Sequence, residues 1–135
     1  IDHILTQVRA MGQLEIPVLC YNWSAITSWS RTRVAMPLRG GALTTGFDAE
    51  EMRSAPALPE AAGLTTDQLW EGLEYFLAAV MPVAEESGVA LAMHPDDPPV
   101  SSIRGIPRIM NSVEAFRRLV ALSSSPANGI TLCQG

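Results

Sequence analysis

Apolar residues recur along this chain with two different periods. Ile4, Leu5, Val8, Met11 and Leu14 fall three or four apart, which predicts a helix over 1–14 with one buried face; Pro17 follows once it has ended. Val18-Leu19-Cys20-Tyr21 is a short apolar and β-favouring run, and predicts a buried strand over about 16–22. Helical spacing resumes with Leu69, Leu73, Phe76, Leu77, Val80 and Ala84, the stripe of a helix over 66–87. Thr65 and Gln68 have capping-box spacing at its start, and Gly88 suits a left-handed end. Pro82 inside it predicts a kink or a split near Ala78.

A second strand is read over 89–93, followed by a loop to Met110. A third helix over 112–122 would bury Val113, Phe116, Leu119 and Val120, with Asn111 and Glu114 at its start. Ser123 to Gly129 is turn-rich, and Ile130-Thr131-Leu132-Cys133 reads as a third strand. Residues 24–64 carry no strong period and are broken by Gly40-Gly41, Pro56 and Pro59. A stretch that long is no passive connection; it suggests a lid over a site, an oligomer contact or an insert.

Helices alternating with strands predict an α/β fold with a parallel sheet and right-handed crossovers. Each expected strand ends in a chemically competent residue: Asn22, His94 and Cys133. In α/β sheets and barrels, sites form at the carboxyl ends of the strands, so these three converge by topology.

Composition narrows the classes. The chain has 135 residues, 47% of them hydrophobic and 17% charged, which suits one folded unit rather than disorder. A net charge of −5 and the lack of basic runs argue against nucleic acid or an anionic membrane as a partner. The nine basic residues are all Arg. Two distant cysteines make no disulfide framework, and no apolar run has membrane-spanning length; a cytoplasmic setting is the simplest. A chain that stops straight after a strand-like run, on Cys133-Gln134-Gly135, suggests a segment of a longer protein.

The most chemically loaded stretch is His94-Pro95-Asp96-Asp97-Pro98-Pro99, stiffened by its prolines. His94 and Cys133, one crossover apart, could share a divalent metal, zinc if sulfur dominates the donors and manganese or iron if oxygen does. The alternative is a structural His with aspartates capping the turn. Adjacent Asp96 and Asp97 point different ways, so one at most faces the site; Asp96 is the choice for the substrate or metal-supporting role, and its neighbour for holding the loop. Trp29, Arg31 and Arg33 form an aromatic and cationic cluster, and an Arg fork suits a carboxylate ligand. Tyr21 and Asn22 fall where polar groups would face a site. Cys20 reads as core, and His3 as a surface residue.

Several of these stretches resemble one family. The six-residue His94 motif, the preceding Pro82-Val83-Ala84-Glu85-Glu86-Ser87-Gly88-Val89, then Gly105-Ile106-Pro107-Arg108-Ile109, Ser125-Pro126-Ala127-Asn128-Gly129 and Leu132-Cys133-Gln134-Gly135 are similar to mannonate dehydratase. Tyr21-Asn22 and Trp29-Ser30-Arg31-Thr32 look like upstream elements of that family. Trp23-Ser24-Ala25 and residues 34–64 match poorly.

The resemblance implies a partial (β/α)8 barrel and a hydro-lyase that dehydrates D-mannonate to 2-keto-3-deoxy-D-gluconate in glucuronate catabolism. It implies manganese, with iron as the alternative, held by His94 and Cys133 together with a later His and Asp that have no counterpart in these residues. By the same resemblance Asp96 and Arg31 would be catalytic, and Tyr21, Asn22, Trp29, Arg31 and Asp97 would meet the substrate. A homo-oligomer is expected of the full-length form, and no activity of the segment alone. A sister sugar isomerase or epimerase, or a non-catalytic product, are the competing expectations.

Overall fold

A computed structural model describes residues 1–27 and 29–134. Helix α1 (Asp2–Gln13) buries Val8 completely, with Ile4, Leu5 and Met11 partly covered beside it. Leu14, predicted to end this stripe, is 71% exposed. Strand β1 (Val18–Tyr21) follows Pro17.

Helix α3 (Thr66–Ser87) is the spine of the packing, as its stripe predicts. Leu69, Trp70, Leu73, Leu77, Val80, Met81, Val83 and Ala84 are buried on it. Each fully enclosed Leu or Val contributes on the order of 1.5–3 kcal/mol of transfer free energy. Both arms of the Thr65–Gln68 capping box form, and Gly88 closes the helix at φ 67°. Pro82 neither ends nor splits it. The proline and Ala78, whose carbonyl loses a donor, both lie on the exposed side, where water can take that donor's place. Gly12 of α1 meets the end of α3 so closely that a Cβ there would stand 2.4 Å from the Ser87 carbonyl oxygen.

Strand β4 (Ala90–Met93) is central in a three-stranded parallel sheet ordered β1-β4-β7, the topology that the alternation of elements predicts. Val18 pairs with Ala90 and Tyr21 with Met93 on one side; Leu91 pairs with Asn128 and Met93 with Ile130 on the other. Strand β7 (Asn128–Ile130) therefore starts earlier and stops sooner than the predicted 130–133. Its start is pinned by buried Asn128, whose amide donates to the carbonyls of Leu119 (3.1 Å) and Ser123 (3.3 Å). Thr131 still donates to the Met93 carbonyl at 2.8 Å, but beyond it β4 has ended and the ladder has no partner strand.

Helix α4 (Val113–Ala121) is capped by Ser112, whose Oγ accepts from the Ala115 N–H, and not by Asn111. The Asn111 side chain donates instead to the carbonyls of Val100 and Arg108. The buried positions of α4 are Ala115 and Leu119; Val113 and Val120, expected inside, are exposed.

The stretch without a period is structured after all. Strands β2 (Arg33–Pro37) and β3 (Leu43–Gly46) form an antiparallel hairpin, and helix α2 (Ala49–Ser54) follows under an Asp48 cap. Two-residue strands β5 (Ser102–Ile103) and β6 (Ile106–Pro107) form a second hairpin after the His94 loop. Among the described residues, no helix is long and apolar enough to cross a membrane.

Candidate functional site

Pleating decides which side chains of the sheet can serve a site. Leu91 and Met93 are fully buried, and Leu19 and Tyr21 pack on the same core. The intervening residues Cys20, Ala92 and Gly129 line the other face, which the helices leave uncovered. Thr131 belongs to that face as well. Its hydroxyl donates to the Ala92 carbonyl at 3.1 Å and lies 3.2 Å from the Cys20 sulfur. Cys20, expected in the core, is exposed there.

Tyr21 differs from expectation for the same reason. It sits on the helix side with its ring 5.7 Å from that of Phe76, and its hydroxyl is buried with no partner among the described residues. Burial pushes its phenol well above the ordinary range. Asn22, one residue on, is exposed beyond the end of β1.

The strand ends are tied together at His94. Its N–H donates to the Tyr21 carbonyl at 2.7 Å, so the chain leaves β1 and β4 side by side. Its ring Nδ1 lies 2.7 Å from the Pro95 carbonyl oxygen. A carbonyl only accepts, so Nδ1 carries a proton, and in the neutral ring the lone pair lies on Nε2, the tautomer of a metal-ligating imidazole. Cys133 follows β7, the strand on the other side of β4, and is a free, exposed thiol. Among the described residues, no three His, Cys, Asp or Glu side chains gather in metal-binding range. Gly135 of the Cys133 motif lies outside the described residues.

The adjacent aspartates do point apart, and the one that hydrogen-bonds the loop backbone is Asp96 rather than Asp97. Asp96 is the buried one. It pairs with Arg108 at 2.8 Å, with both side chains at or below 3% exposure, and accepts from the Met110 N–H at 2.7 Å. Its own N–H donates to the Met110 carbonyl. Burial pushes the Asp96 carboxyl above its ordinary value, while Arg108 and the Met110 N–H pull it the other way. Asp97 is exposed and binds Arg31 at 2.6 Å. The bond from Asp97 to Pro98 is cis.

Arg31 is well fixed. Its guanidinium lies 4.3 Å from the Trp29 ring centre, a second nitrogen donates to the Ser30 carbonyl, and the side chain is 14% exposed. Trp29, Arg31 and Asp97 thus come together beside the His94 loop. Arg33 is elsewhere, on the hairpin, 3.6 Å from Glu51. Sequence reasoning passed over Arg108 and Thr131. An Arg amid Ile106, Pro107, Ile109 and Met110 is a charge in an apolar run that demands a buried counter-ion.

The chain is similar to known proteins along its length. The D-mannonate dehydratase (UxuA) family matches over residues 1–59 and 58–135. A mannonate dehydratase of Streptococcus pneumoniae is 34% identical over 158 aligned residues, covering all of this chain and 43% of that protein. One from Shouchella clausii is 35% identical, covering all of this chain and 46% of that protein. The crystal structure of mannonate dehydratase from Streptococcus suis superposes with a TM-score of 0.88 at 36% identity, over 99% of this chain and 41% of that one. The chain therefore spans less than half the length of these relatives. With matches along its whole length in sequence and in structure, the chain belongs to the D-mannonate dehydratase (UxuA) family.

Proposed function

We propose that these residues form part of a mannonate dehydratase, a (β/α)8-barrel hydro-lyase that removes water from D-mannonate to give 2-keto-3-deoxy-D-gluconate in glucuronate catabolism. The supporting observation is the His94 ring: in a chain of this family, its Nδ1 is occupied by the Pro95 carbonyl and its Nε2 is left as a donor at the carboxyl end of the sheet. His94 and Cys133 are the two residues that would hold a divalent ion. One imidazole and one thiolate suit manganese or iron once oxygen donors complete the set, and those donors would come from outside these residues.

Dehydration begins at the carbon beside the sugar-acid carboxylate. Its proton is weakly acidic, and charge builds on the carboxylate as it leaves. A bound divalent ion supplies Lewis-acid stabilisation of that charge. Arg31, its guanidinium 4.3 Å from the Trp29 ring centre, has a fork suited to a carboxylate and holds that of Asp97 here, which a substrate carboxylate would displace or share. Asn22, exposed beyond the end of β1, would meet a sugar hydroxyl in this reading. Asp96 holds the His94 loop through Arg108 and Met110 and carries no proton-transfer step in this reading. The two free thiols suit a reducing cytoplasm, and the full-length enzyme is read as a homo-oligomer.

The test is a chimera in which residues 1–135 replace the matching stretch of the Streptococcus suis enzyme. With manganese it should convert D-mannonate to the keto-deoxy acid, and His94→Ala should abolish both turnover and bound metal. A folded chimera that binds manganese yet leaves D-mannonate unchanged would overturn the assignment.

A further inference from the structure

Two consecutive side chains of the His94 motif reach the same short segment of the loop after β1. Asp97 binds Arg31 directly at 2.6 Å. Asp96 reaches it through an intermediary: it pairs with buried Arg108, and another nitrogen of Arg108 donates to the Thr27 carbonyl at 3.3 Å. Thr27 and Arg31 are four residues apart, and Thr32 is tied in turn to the Gly46 carbonyl. The loop is therefore held at Thr27 by Arg108 and at Arg31 and Thr32 by Asp97 and Gly46.

The backbone next to the Thr27 contact bears the mark of that hold. Ile26 has φ 62°, a conformation a β-branched residue avoids, and the Thr27 N–H donates to the Ala25 carbonyl at 2.6 Å across a tight γ-turn. Such a residue keeps that conformation only where its surroundings over-determine it. The surroundings at hand are the Arg108 contact on Thr27 and the Ala25–Thr27 hydrogen bond.

We infer that Arg108 is a positioning residue, which through the Thr27 carbonyl helps fix the course of the loop that carries Trp29 and Arg31 and so where Asp97 meets the Arg31 guanidinium. Its meaning for catalysis rests on the dehydratase reading; its meaning for the loop does not. Asp96 is the counter-ion that keeps Arg108 aimed.

The test separates these two levels. Removing Arg108 alone strands the Asp96 charge and endangers folding, so the informative variant is the neutral pair Asp96→Asn with Arg108→Gln, in which Gln is too short to reach Thr27. In the 135-residue chain, NMR should show the Arg31 Nη–H groups that bind Ser30 and Asp97 as a slowed, shifted resonance. The double variant should keep the core methyl pattern while losing that resonance and moving the Trp29 indole signal. In the chimera, the same pair should raise KM for D-mannonate about tenfold with a smaller change in kcat. A folded double variant with unchanged Arg31 and Trp29 signals overturns the inference. An inactive parent chimera counts against the dehydratase reading alone, because the NMR outcome stands without it.

Discussion

Leu73, Leu77 and Val80 on α3 are enclosed to within 1% exposure, whereas every residue of β2 is open to solvent although Val34, Ala35 and Met36 are just as apolar. The difference lies in what each element packs against. The α3 stripe meets α1 and the sheet, and its hydrogen bonds are internal to the helix. Among the described residues the β2–β3 hairpin pairs only with itself, and it is moored at its base by Thr32 to Gly46, Asp48 to Thr32 and Arg33 to Glu51. Two-stranded ribbons are marginal in water, so those moorings carry much of what holds it in place. Apolar content alone does not make a core; a second layer has to cover it.

The contrast can be broken at its strongest point first. Leu77→Ala should cost about 3 kcal/mol of unfolding free energy, while Val34→Ala on the hairpin should stay within about 0.5 kcal/mol, both read by urea denaturation. Equal losses would mean that the hairpin is covered in solution.

The next test lies at the seam between the two regions. The family matches in two stretches that meet at residues 58–59, and the relatives align over more positions than this chain contains. In the structure that seam is tied to the β5–β6 hairpin by Leu58 N–H on the Arg104 carbonyl (2.9 Å) and by Arg104 Nε on the Pro56 carbonyl (3.0 Å). Inserting about ten Gly and Ser residues after Leu58 should lower stability by roughly 1 kcal/mol or less, since loop closure grows only slowly with length. A large drop in Tm would show the seam to be a structural joint.

The smallest effect is at α2. The Glu50 and Glu51 N–H groups hold the Asp48 carboxyl below its ordinary 3.8. A lowered folded value gives stability that is present above the unfolded value and fades as pH falls through the folded one. The Ala49–Ser54 helix should therefore fray locally below about pH 4. Asp48→Ala should fray it at neutral pH and remove that pH response, as followed by amide chemical shifts.

The contrast also explains which parts were legible in the sequence. The α3 stripe, its capping box, Gly88 and the parallel order of strands follow from local periodicity and short signals, and local packing realises them. The hairpin escaped because Arg33–Pro37 has no alternation to display when both of its faces are open. The third strand slipped because its bounds follow from register with β4 and from the Asn128 anchor, which are non-local. Parity would have turned Tyr21 inward, since Leu19 and Tyr21 share a face. The choice between Asp96 and Asp97 was closed to sequence reasoning until Arg108 was recognised as a buried charge.

The Asp96–Met110 contact has a consequence of a different kind. Each of these two residues donates its backbone N–H to the other, one to a carbonyl and one to a carboxylate, so an irregular loop is closed by a reciprocal pair much as a ladder rung would close it. Both residues are buried, and their amides should exchange with deuterium at rates typical of the sheet interior rather than of a loop. The segment that carries His94 would then open only when the sheet beneath it opens, as one cooperative unit.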